Sequence, residues 1–221
     1  MKVFCIISDE RAYRSKSPLV FAEIIRLSGI QGAYVPFKVA PHQLGQAVDS
    51  IRVLNIAGVT VTVPYKESIM PYIDTFSEGA NMIGAINTIV RHGDQLKGYN
   101  TNAIGFMDAL KDMDYDVAGK RALVVGNGGI AKAVVFILNW LLADTIHIAG
   151  RNPEKTDAIV DRIGGAPIGF DTLADKPIAA DLIVNATSVS DVEESPEMAQ
   201  LVANLKVPDC ELLVDMNYGR V

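Results

Sequence analysis

The sequence predicts an α/β protein in two parts, and two observations lead to this expectation. Short apolar runs alternate with stretches of helical pattern throughout the 221 residues, as in proteins whose sheets are covered by helices. Near the middle, residues 121–143 have the pattern of a buried strand, a glycine turn and a helix. We therefore expect an N-terminal α/β domain, a C-terminal doubly wound domain of the Rossmann type, and a cleft between them.

Composition and charge argue against several classes of protein. The chain is 49% hydrophobic and 21% charged, which is ordinary for a soluble globular protein. The longest apolar run, residues 133–143, is too short to cross a bilayer, so no membrane partner is expected. The net charge of −6 argues against a nucleic-acid partner.

The N-terminal residues and the cysteines indicate the cellular compartment. Residues 1–10 lack the pattern of a signal peptide, so a cytoplasmic location is expected. Cys5 and Cys210 lie in apolar, strand-like runs and give neither a metal-ligand spacing nor a disulfide framework. Buried, reduced thiols and no metal site are the expectation.

The first half of the chain contains recognisable strand and helix signals. Ser17 as N-cap and Pro18 at the first helical position predict a helix that continues to about Ser28 and stops at Gly29. The other predicted elements are strands at 2–7 and 33–39, a helix at 41–54, a half-buried strand ending at Pro64, a short helix at 69–74 and a hairpin turn at 91–94.

The charged, turn-like segment 112–120 marks the expected domain boundary. We expect a first domain at 1–102, a connecting helix and linker at 103–118, and a second domain at 119–221. The elements predicted in the second domain are strands at 122–125, 145–149, 166–170, 181–185 and 211–215 and helices at 131–142, 153–163 and 195–203.

The glycine turn of the second domain is a candidate phosphate site. Glycines leave room for a close ligand, and the free N–H groups at the following helix N-terminus favour a pyrophosphate. The same pattern also occurs in ordinary strand-to-helix turns, so the motif alone is weak evidence. Its residues are Gly126, Asn127, Gly128, Gly129, Ile130 and Ala131.

The end of the next strand indicates which dinucleotide would bind. An acidic residue usually stands there to bind the adenosine ribose, whereas this chain has Arg151. A guanidinium suits a 2′-phosphate, and Lys155 lies four residues on, on the same helical face if the helix starts early. The pattern favours NADP over NAD, although both side chains could also be ordinary surface charges.

Polar residues recur in the first half at predicted strand ends and helix starts. Each alone would pass for a turn or cap residue, but together their hydroxyls, amides and one amine fit a polyhydroxylated carboxylate. These residues are Ser15, Ser17, Thr62, Lys66, Asn87, Thr101 and Asn102.

At these motifs the chain resembles the shikimate dehydrogenase family, in the family's order and over nearly the whole length. The matching stretches are Ser15-Lys16-Ser17-Pro18, Val61-Thr62-Val63-Pro64-Tyr65-Lys66, Gly84-Ala85-Ile86-Asn87-Thr88, Gly98-Tyr99-Asn100-Thr101, Gly126-Asn127-Gly128-Gly129, Arg151-Asn152-Pro153-Glu154-Lys155, Asn185-Ala186-Thr187-Ser188 and Asp215-Met216-Asn217-Tyr218.

The resemblance implies reversible, NADP-linked reduction of 3-dehydroshikimate to shikimate, on the route to chorismate and aromatic amino acids. Lys66 would then be the catalytic group at the carbonyl that is reduced. The implied substrate residues are Ser15 and Ser17 for the carboxylate, with Asn87, Thr62 and Tyr218 for the ring substituents and carboxylate. The implied cofactor residues are the glycine turn for the pyrophosphate, Arg151, Asn152 and Lys155 for the 2′-phosphate, and Asn185, Thr187 and Ser188 along the cofactor groove.

The chain departs from the family pattern at several positions. Asn102 stands where the family has an aspartate that pairs with the lysine, and Thr60 stands in place of an asparagine. Arg14 occupies the position of a frequent histidine in a loop rich in charge, and residues 189–191 replace a usual Gly-Met pair. The resemblance also calls for a glutamine-bearing helix after Val221, which a partner subunit of a homodimer could replace.

Three functions are therefore compared. The first is an NADP-dependent dehydrogenase acting on shikimate or a relative such as quinate or an amino analogue. The second is a catalytically weakened paralogue that binds such a ligand or NADP without efficient turnover, as Asn102 suggests. The third is an interaction protein, against which Arg151 argues because a scaffold needs no such cofactor site.

Overall fold

A computed structural model of the chain describes residues 1–169, 172–173, 176–187, 195–196, 200–201 and 204–217. Ser188, residues 189–191 and Tyr218, together with most of the helix predicted at 195–203, lie outside these residues. The chain divides into two compact units, Met1–Thr101 and Asn102–Val221. No helix among the described residues is long and apolar enough to cross a membrane.

The first unit is built on a six-stranded mixed sheet. The strand order is β2-β1-β3-β5-β6-β4, in which β5 runs antiparallel to both neighbours and the other pairs are parallel. The strands are β1 (Lys2–Ser8), β2 (Gly32–Lys38), β3 (Ile56–Val61), β4 (Thr75–Phe76), β5 (Thr88–His92) and β6 (Gln95–Tyr99).

Three α-helices belong to this unit, and they are α1 (Ser17–Leu27), α2 (Leu44–Val53) and α3 (Glu78–Ile83). Two expectations about them were wrong. The helix predicted at 41–54 begins with a 3₁₀ turn, Pro41–Gln43, before α2. Ser17 is the first residue of α1 and not its N-cap, and its N–H instead donates to Ser15 Oγ over 3.1 Å.

The short helix α3 was not predicted from the sequence. Ser77 caps it by accepting a hydrogen bond from the Ala80 N–H, and Gly84 ends it with a φ of 72°. Six residues are too few for a helical pattern to stand out, so the helix depends on its caps and on the burial of Ala80 and Ile83.

The main core of the first unit lies against one face of this sheet. It combines inward-facing residues of β1 and β3 with side chains of α2 and of the loop after β3, and Val59 and Val61 alternate inward as predicted. Cys5 is fully buried in this core, and the burial raises the pKa of its thiol to about 12, so the thiol stays protonated.

The second unit is a five-stranded parallel sheet. The strands are β7 (Arg121–Val125), β8 (Thr145–Ala149), β9 (Ala166–Pro167), β10 (Leu182–Asn185) and β11 (Leu212–Asp215), in the order β11-β10-β7-β8-β9. The helices are α4 (Thr101–Asp112), whose first residue belongs to the first unit, α5 (Gly129–Trp140) and α6 (Pro153–Ile163). Strand β8 and helix α6 have the predicted bounds, whereas α5 starts two residues earlier than expected.

The strand order reverses beside β7, which has β8 on one side and β10 on the other. In doubly wound sheets, ligands bind outside the carboxyl ends of the strands at such a reversal. The glycine turn follows β7 and therefore lies at this point. Cys210 precedes β11 and is only half-buried, so the expectation of a buried thiol holds for Cys5 but was wrong for Cys210.

An ion pair joins β7 and β10 at the opposite end of this sheet. Asp181 accepts hydrogen bonds from the Arg121 N–H (2.8 Å), Nε (3.1 Å) and Nη2 (2.6 Å). These bonds hold the pKa of the Asp181 carboxyl well below its usual range.

We predict that Asp181→Asn lowers the free energy of unfolding by about 1–2 kcal/mol at neutral pH, because charge-assisted bonds to Arg121 are lost. A depressed carboxyl pKa stabilises the fold above the unfolded-state value of 3.8, and this contribution is lost as pH falls below it. Urea unfolding from pH 7 downward should therefore show the two proteins converging in acid. The matched control is Asp157→Asn, at an exposed position of α6, and an equal effect of both changes would contradict the prediction.

Candidate active site

The first unit gathers its candidate residues at one edge of its sheet. The parallel strands β1 and β3 end there, β5 begins there because it is antiparallel, and β6 ends there again. The residues that follow or precede these strand ends are Ser15 and Ser17 after β1, Thr62 and Lys66 after β3, Asn87 before β5 and Thr101 after β6. The topology therefore brings together residues that the sequence keeps up to 86 positions apart, from Ser15 to Thr101.

Lys66 is the charged residue of this set, and it lies in the loop after β3. It is only 8% exposed, and burial lowers the pKa of its ammonium from 10.5 to about 8. Within the described part of the chain, no side-chain hydrogen bond or ion pair compensates its charge. Such an amine can hold or release a proton near neutral pH, as acid–base chemistry requires.

The backbone of this loop is held on both sides of Lys66. The Thr62 N–H donates to Ile7 O (3.3 Å), which continues the pairing of β1 with β3 by one residue. The Ile86 N–H donates to Lys66 O (2.8 Å), so the segment before β5 is attached directly to the lysine. Asn87 follows Ile86 and is thereby placed next to the same loop.

Asn87 joins the end of β3 to the start of α4. Its backbone oxygen accepts from the Val61 N–H at the end of β3 (2.8 Å). Its side-chain Oδ1 accepts from the Thr101 N–H, and its Nδ2 donates to Thr101 Oγ1, both over 2.8 Å. Thr101 is the first residue of α4, so Asn87 fixes where this helix starts, and Asn102 is the second, half-buried residue of the helix.

In the second unit, Gly126 lies where no larger residue would fit. Its φ is 125°, and a Cβ there would be 2.7 Å from the carbonyl carbon and oxygen of Ala186. The turn after β7 and the loop after β10 therefore approach each other more closely than side chains would permit.

Helix α5 begins at this turn with its N–H groups uncapped. Gly128 is its N-cap residue and Gly129 its first residue, and no side chain in the described residues caps it. A Cβ on Gly128 would meet nothing within 4 Å, so the space beside that residue is open. Free N–H groups at the start of a 12-residue helix, with open space at the cap, suit an anionic phosphate.

The Asn127 side chain is used inside the protein. Its Nδ2 donates to Asn152 O (2.8 Å) and to the buried Thr156 Oγ1 (3.2 Å). A Cβ on Gly150 would be 2.1 Å from that nitrogen, so the glycine after β8 makes room for the amide. Asn127 thus joins the turns after β7 and β8, and sequence reasoning had no signal for the part played by Thr156.

Arg151 and Lys155 would share a helical face only if the helix started early, and it does not. Helix α6 starts at Pro153, and Asn152 is its N-cap, with Oδ1 accepting from the Lys155 N–H over 3.0 Å. Arg151 therefore lies outside the helix, although it is exposed at the carboxyl end of β8, and its Nη1 is 3.5 Å from Ser195 Oγ. Both cations lie beside the same helix start, but the Asn152 side chain is already occupied as a cap.

Asn185 and Thr187 are almost fully buried and bonded to each other. The Thr187 hydroxyl (2.9 Å) and N–H (3.2 Å) donate to Asn185 Oδ1, and Asn185 Nδ2 donates to Asp215 Oδ1 (3.3 Å). Their side chains shape the loop after β10, which approaches Gly126. The sequence motif that begins at Asp215 does not predict this bond, because Asn185 lies 30 positions away.

Comparisons with known proteins agree with this arrangement. The model of the shikimate dehydrogenase substrate binding domain matches residues 9–89, and that of shikimate / quinate 5-dehydrogenase matches residues 108–220. The shikimate dehydrogenase (NADP(+)) of Caldanaerobacter subterraneus subsp. tengcongensis is 38% identical over 210 residues, which cover 91% of this chain and 75% of that protein. That of Desulforamulus reducens is 35% identical over 214 residues, covering 93% and 73%.

Solved structures show the same relationship. Shikimate dehydrogenase 1 from Peptoclostridium difficile matches with a TM-score of 0.86 and 30% identity, over 99% of this chain and 78% of that one. The Thermus thermophilus shikimate 5-dehydrogenase in complex with NADP(H) and shikimate matches with a TM-score of 0.80 and 29% identity, over 97% and 78%. With two family models and these relatives covering most of its length, the chain belongs to the shikimate dehydrogenase family.

Proposed function

We propose that this chain is an NADP-dependent dehydrogenase that interconverts 3-dehydroshikimate and shikimate, on the route to chorismate and aromatic amino acids. The observation that supports this most is the buried Lys66 ammonium at a sheet edge that also carries Asn87 and Thr101. Relatives named shikimate dehydrogenase (NADP(+)) and a neighbour solved with NADP(H) and shikimate support the same reaction. They do not favour the alternative of a paralogue without efficient turnover.

The substrate residues of the proposal lie at the same edge. Ser15 and Ser17, at the start of α1, would hold the carboxylate through their hydroxyls. Thr62 and Asn87 would contact the ring hydroxyls. Tyr218 completes the proposed set from outside the described residues.

The cofactor residues fit an NADP molecule. The N–H groups at the start of α5 suit the pyrophosphate, because Gly126 and Gly128 leave the turn free of side chains. Arg151 and Lys155 supply two positive charges beside the start of α6 for the 2′-phosphate. Bound NADPH would supply the hydride that reduces the ketone carbon.

Lys66 provides the proton in this proposal. Negative charge develops on the ketone oxygen as the carbon is reduced, and the Lys66 ammonium stabilises that charge and transfers its proton to the oxygen. Because the pKa of Lys66 is about 8, the ammonium form dominates at neutral pH for reduction. The neutral amine is also accessible, and it would take the proton from the hydroxyl in the reverse direction.

We predict opposite pH dependences for the two directions of the reaction. Reduction needs the protonated amine, so its kcat should fall as pH rises through about 8, whereas oxidation needs the neutral amine and should rise there. Initial rates at the NADPH absorbance band from pH 6 to 10 measure both. Lys66→Met should abolish both limbs, while Lys111→Met, at an exposed position of α4, should leave them unchanged. Parallel pH profiles in the two directions would contradict the assignment.

The amide of Asn102 cannot exchange a proton, and it brings no negative charge to support Lys66. We predict that Asn102→Asp raises kcat by about 10²-fold, the lower end of what an acid–base group contributes. A nearby carboxylate would also raise the pKa of Lys66, so the reduction profile should move to higher pH. Steady-state kinetics of both proteins test this, with Asn102→Ser as the control that adds no charge. Equal, high rates with Asn102 and with Asp would refute it.

Arg151 should decide the choice between NADP and NAD. We predict that Arg151→Ala raises KM for NADP by about 10- to 100-fold and leaves KM for NAD nearly unchanged, because charge-assisted bonds to the 2′-phosphate are lost. Arg162→Ala, at the other end of α6, is the control. A similar loss for both cofactors would show that Arg151 acts on the fold and not on the phosphate.

Shikimate is the proposed substrate, and quinate or an amino analogue is a second candidate because the matching family model also names quinate. Turnover with each at saturating cofactor separates them. A homodimer and a cytoplasmic location stay predictions.

A further inference from the structure

Ser8 is the last residue of β1, and it is completely buried. Its hydroxyl donates a hydrogen bond to the carbonyl oxygen of Val63, three residues before Lys66. A buried serine hydroxyl at the sheet edge is thus bonded directly to the backbone of the loop that carries the lysine.

A second hydroxyl holds the same loop from its other side. Tyr65 is 2% exposed, and its hydroxyl donates to the carbonyl oxygen of Val39, just after β2. The Val39 N–H in turn donates to Ser8 O over 2.8 Å. Ser8, Val39, Val63 and Tyr65 therefore form a closed set of contacts around Pro64, which lies two residues before Lys66.

The loop depends on these side chains because the sheet no longer supports it. Strand β3 ends at Val61, and the bond from the Thr62 N–H to Ile7 O is the last one that extends the pairing with β1. Pro64 has no N–H to contribute. The Val63 carbonyl is partly buried, and an unpaired carbonyl shielded from water is unfavourable, so the Ser8 hydroxyl stabilises it by donating to it.

We propose that Ser8 is a positioning residue for Lys66, acting through the Val63 carbonyl to hold the lysine loop in its buried place. Without the hydroxyl, the carbonyl would turn toward water and the loop would move with it. The ammonium would then be displaced and better hydrated. The effect on rate rests on the proposed function, whereas the effect on the lysine's surroundings does not.

The first test separates catalysis from binding. Ser8→Ala should lower kcat by about 10- to 100-fold, because small displacements of a reacting group have effects of that size, while KM for substrate changes less than about threefold. Ser8→Cys has a side chain of similar size whose thiol donates only weakly, so this variant should also have a lower kcat. Ser50→Ala, which removes a serine-to-backbone bond to Gln46 O in α2, is the matched control and should leave kcat unchanged. If Ser8→Ala does not fold, Tyr65→Phe tests the same contact set with the ring retained.

The second test reads the lysine itself and needs no turnover. Lysines are ¹³C-methylated and titrated by NMR, and the Lys66 signal is identified by its loss in Lys66→Arg. We expect the Lys66 pKa to move from about 8 toward 10.5 in Ser8→Ala or Tyr65→Phe, and not in Ser50→Ala.

The outcomes divide cleanly. A variant that loses thermal stability but keeps the wild-type kcat and Lys66 titration would overturn the proposal, because Ser8 would then be only structural. A wild-type protein without turnover, in which Ser8→Ala still shifts the Lys66 titration, would reject the proposed reaction and support the positioning role.

Discussion

Burial of the Lys66 ammonium is the constraint on which the rest of the candidate site depends. Lowering its pKa from 10.5 to about 8 corresponds to roughly 3 kcal/mol of unfavourable charging, which the surrounding fold must offset. The fold does so with a loop held by Ile7, Ser8 and Ile86 and anchored by the buried Tyr65. A solvent-exposed lysine would not reduce the stability of the fold in this way, but the pKa of its amine would lie too far above neutral pH for efficient proton transfer.

Burial is the cause that lowers the pKa of Lys66. Under the proposed function, an aspartate at position 102 would oppose that effect, whereas the amide of Asn102 has no charge with which to do so. The amide also cannot exchange a proton with the substrate.

The second unit presents uncapped backbone N–H groups at the start of α5, and these would suit an anion. Gly126 lets the turn after β7 and the loop after β10 lie so close together that a Cβ at this position would clash with Ala186. Gly128 leaves open space at the start of α5. The side chains around this turn support it from within. Asn127 joins it to the turn after β8, and Asn185 shapes the loop after β10. In the proposed function, the exposed Arg151 and Lys155 beside it would bind the 2′-phosphate.

Local sequence determined the features that depend on neighbouring residues. The alternation of Val59 and Val61, the bounds of β8 and α6 and the glycine turn follow from side-chain periodicity, proline and glycine, so they could be predicted. Tertiary structure alone decided the pairing of β5 with β3, the short helix α3 and the bond from Ser8 to Val63. Each of these depends on strand pairing, burial or the exact residue at which a helix begins, and in the case of Ser8 on a partner 55 positions away. A pattern of residues cannot show such a partner, because it becomes a neighbour only when the sheet forms.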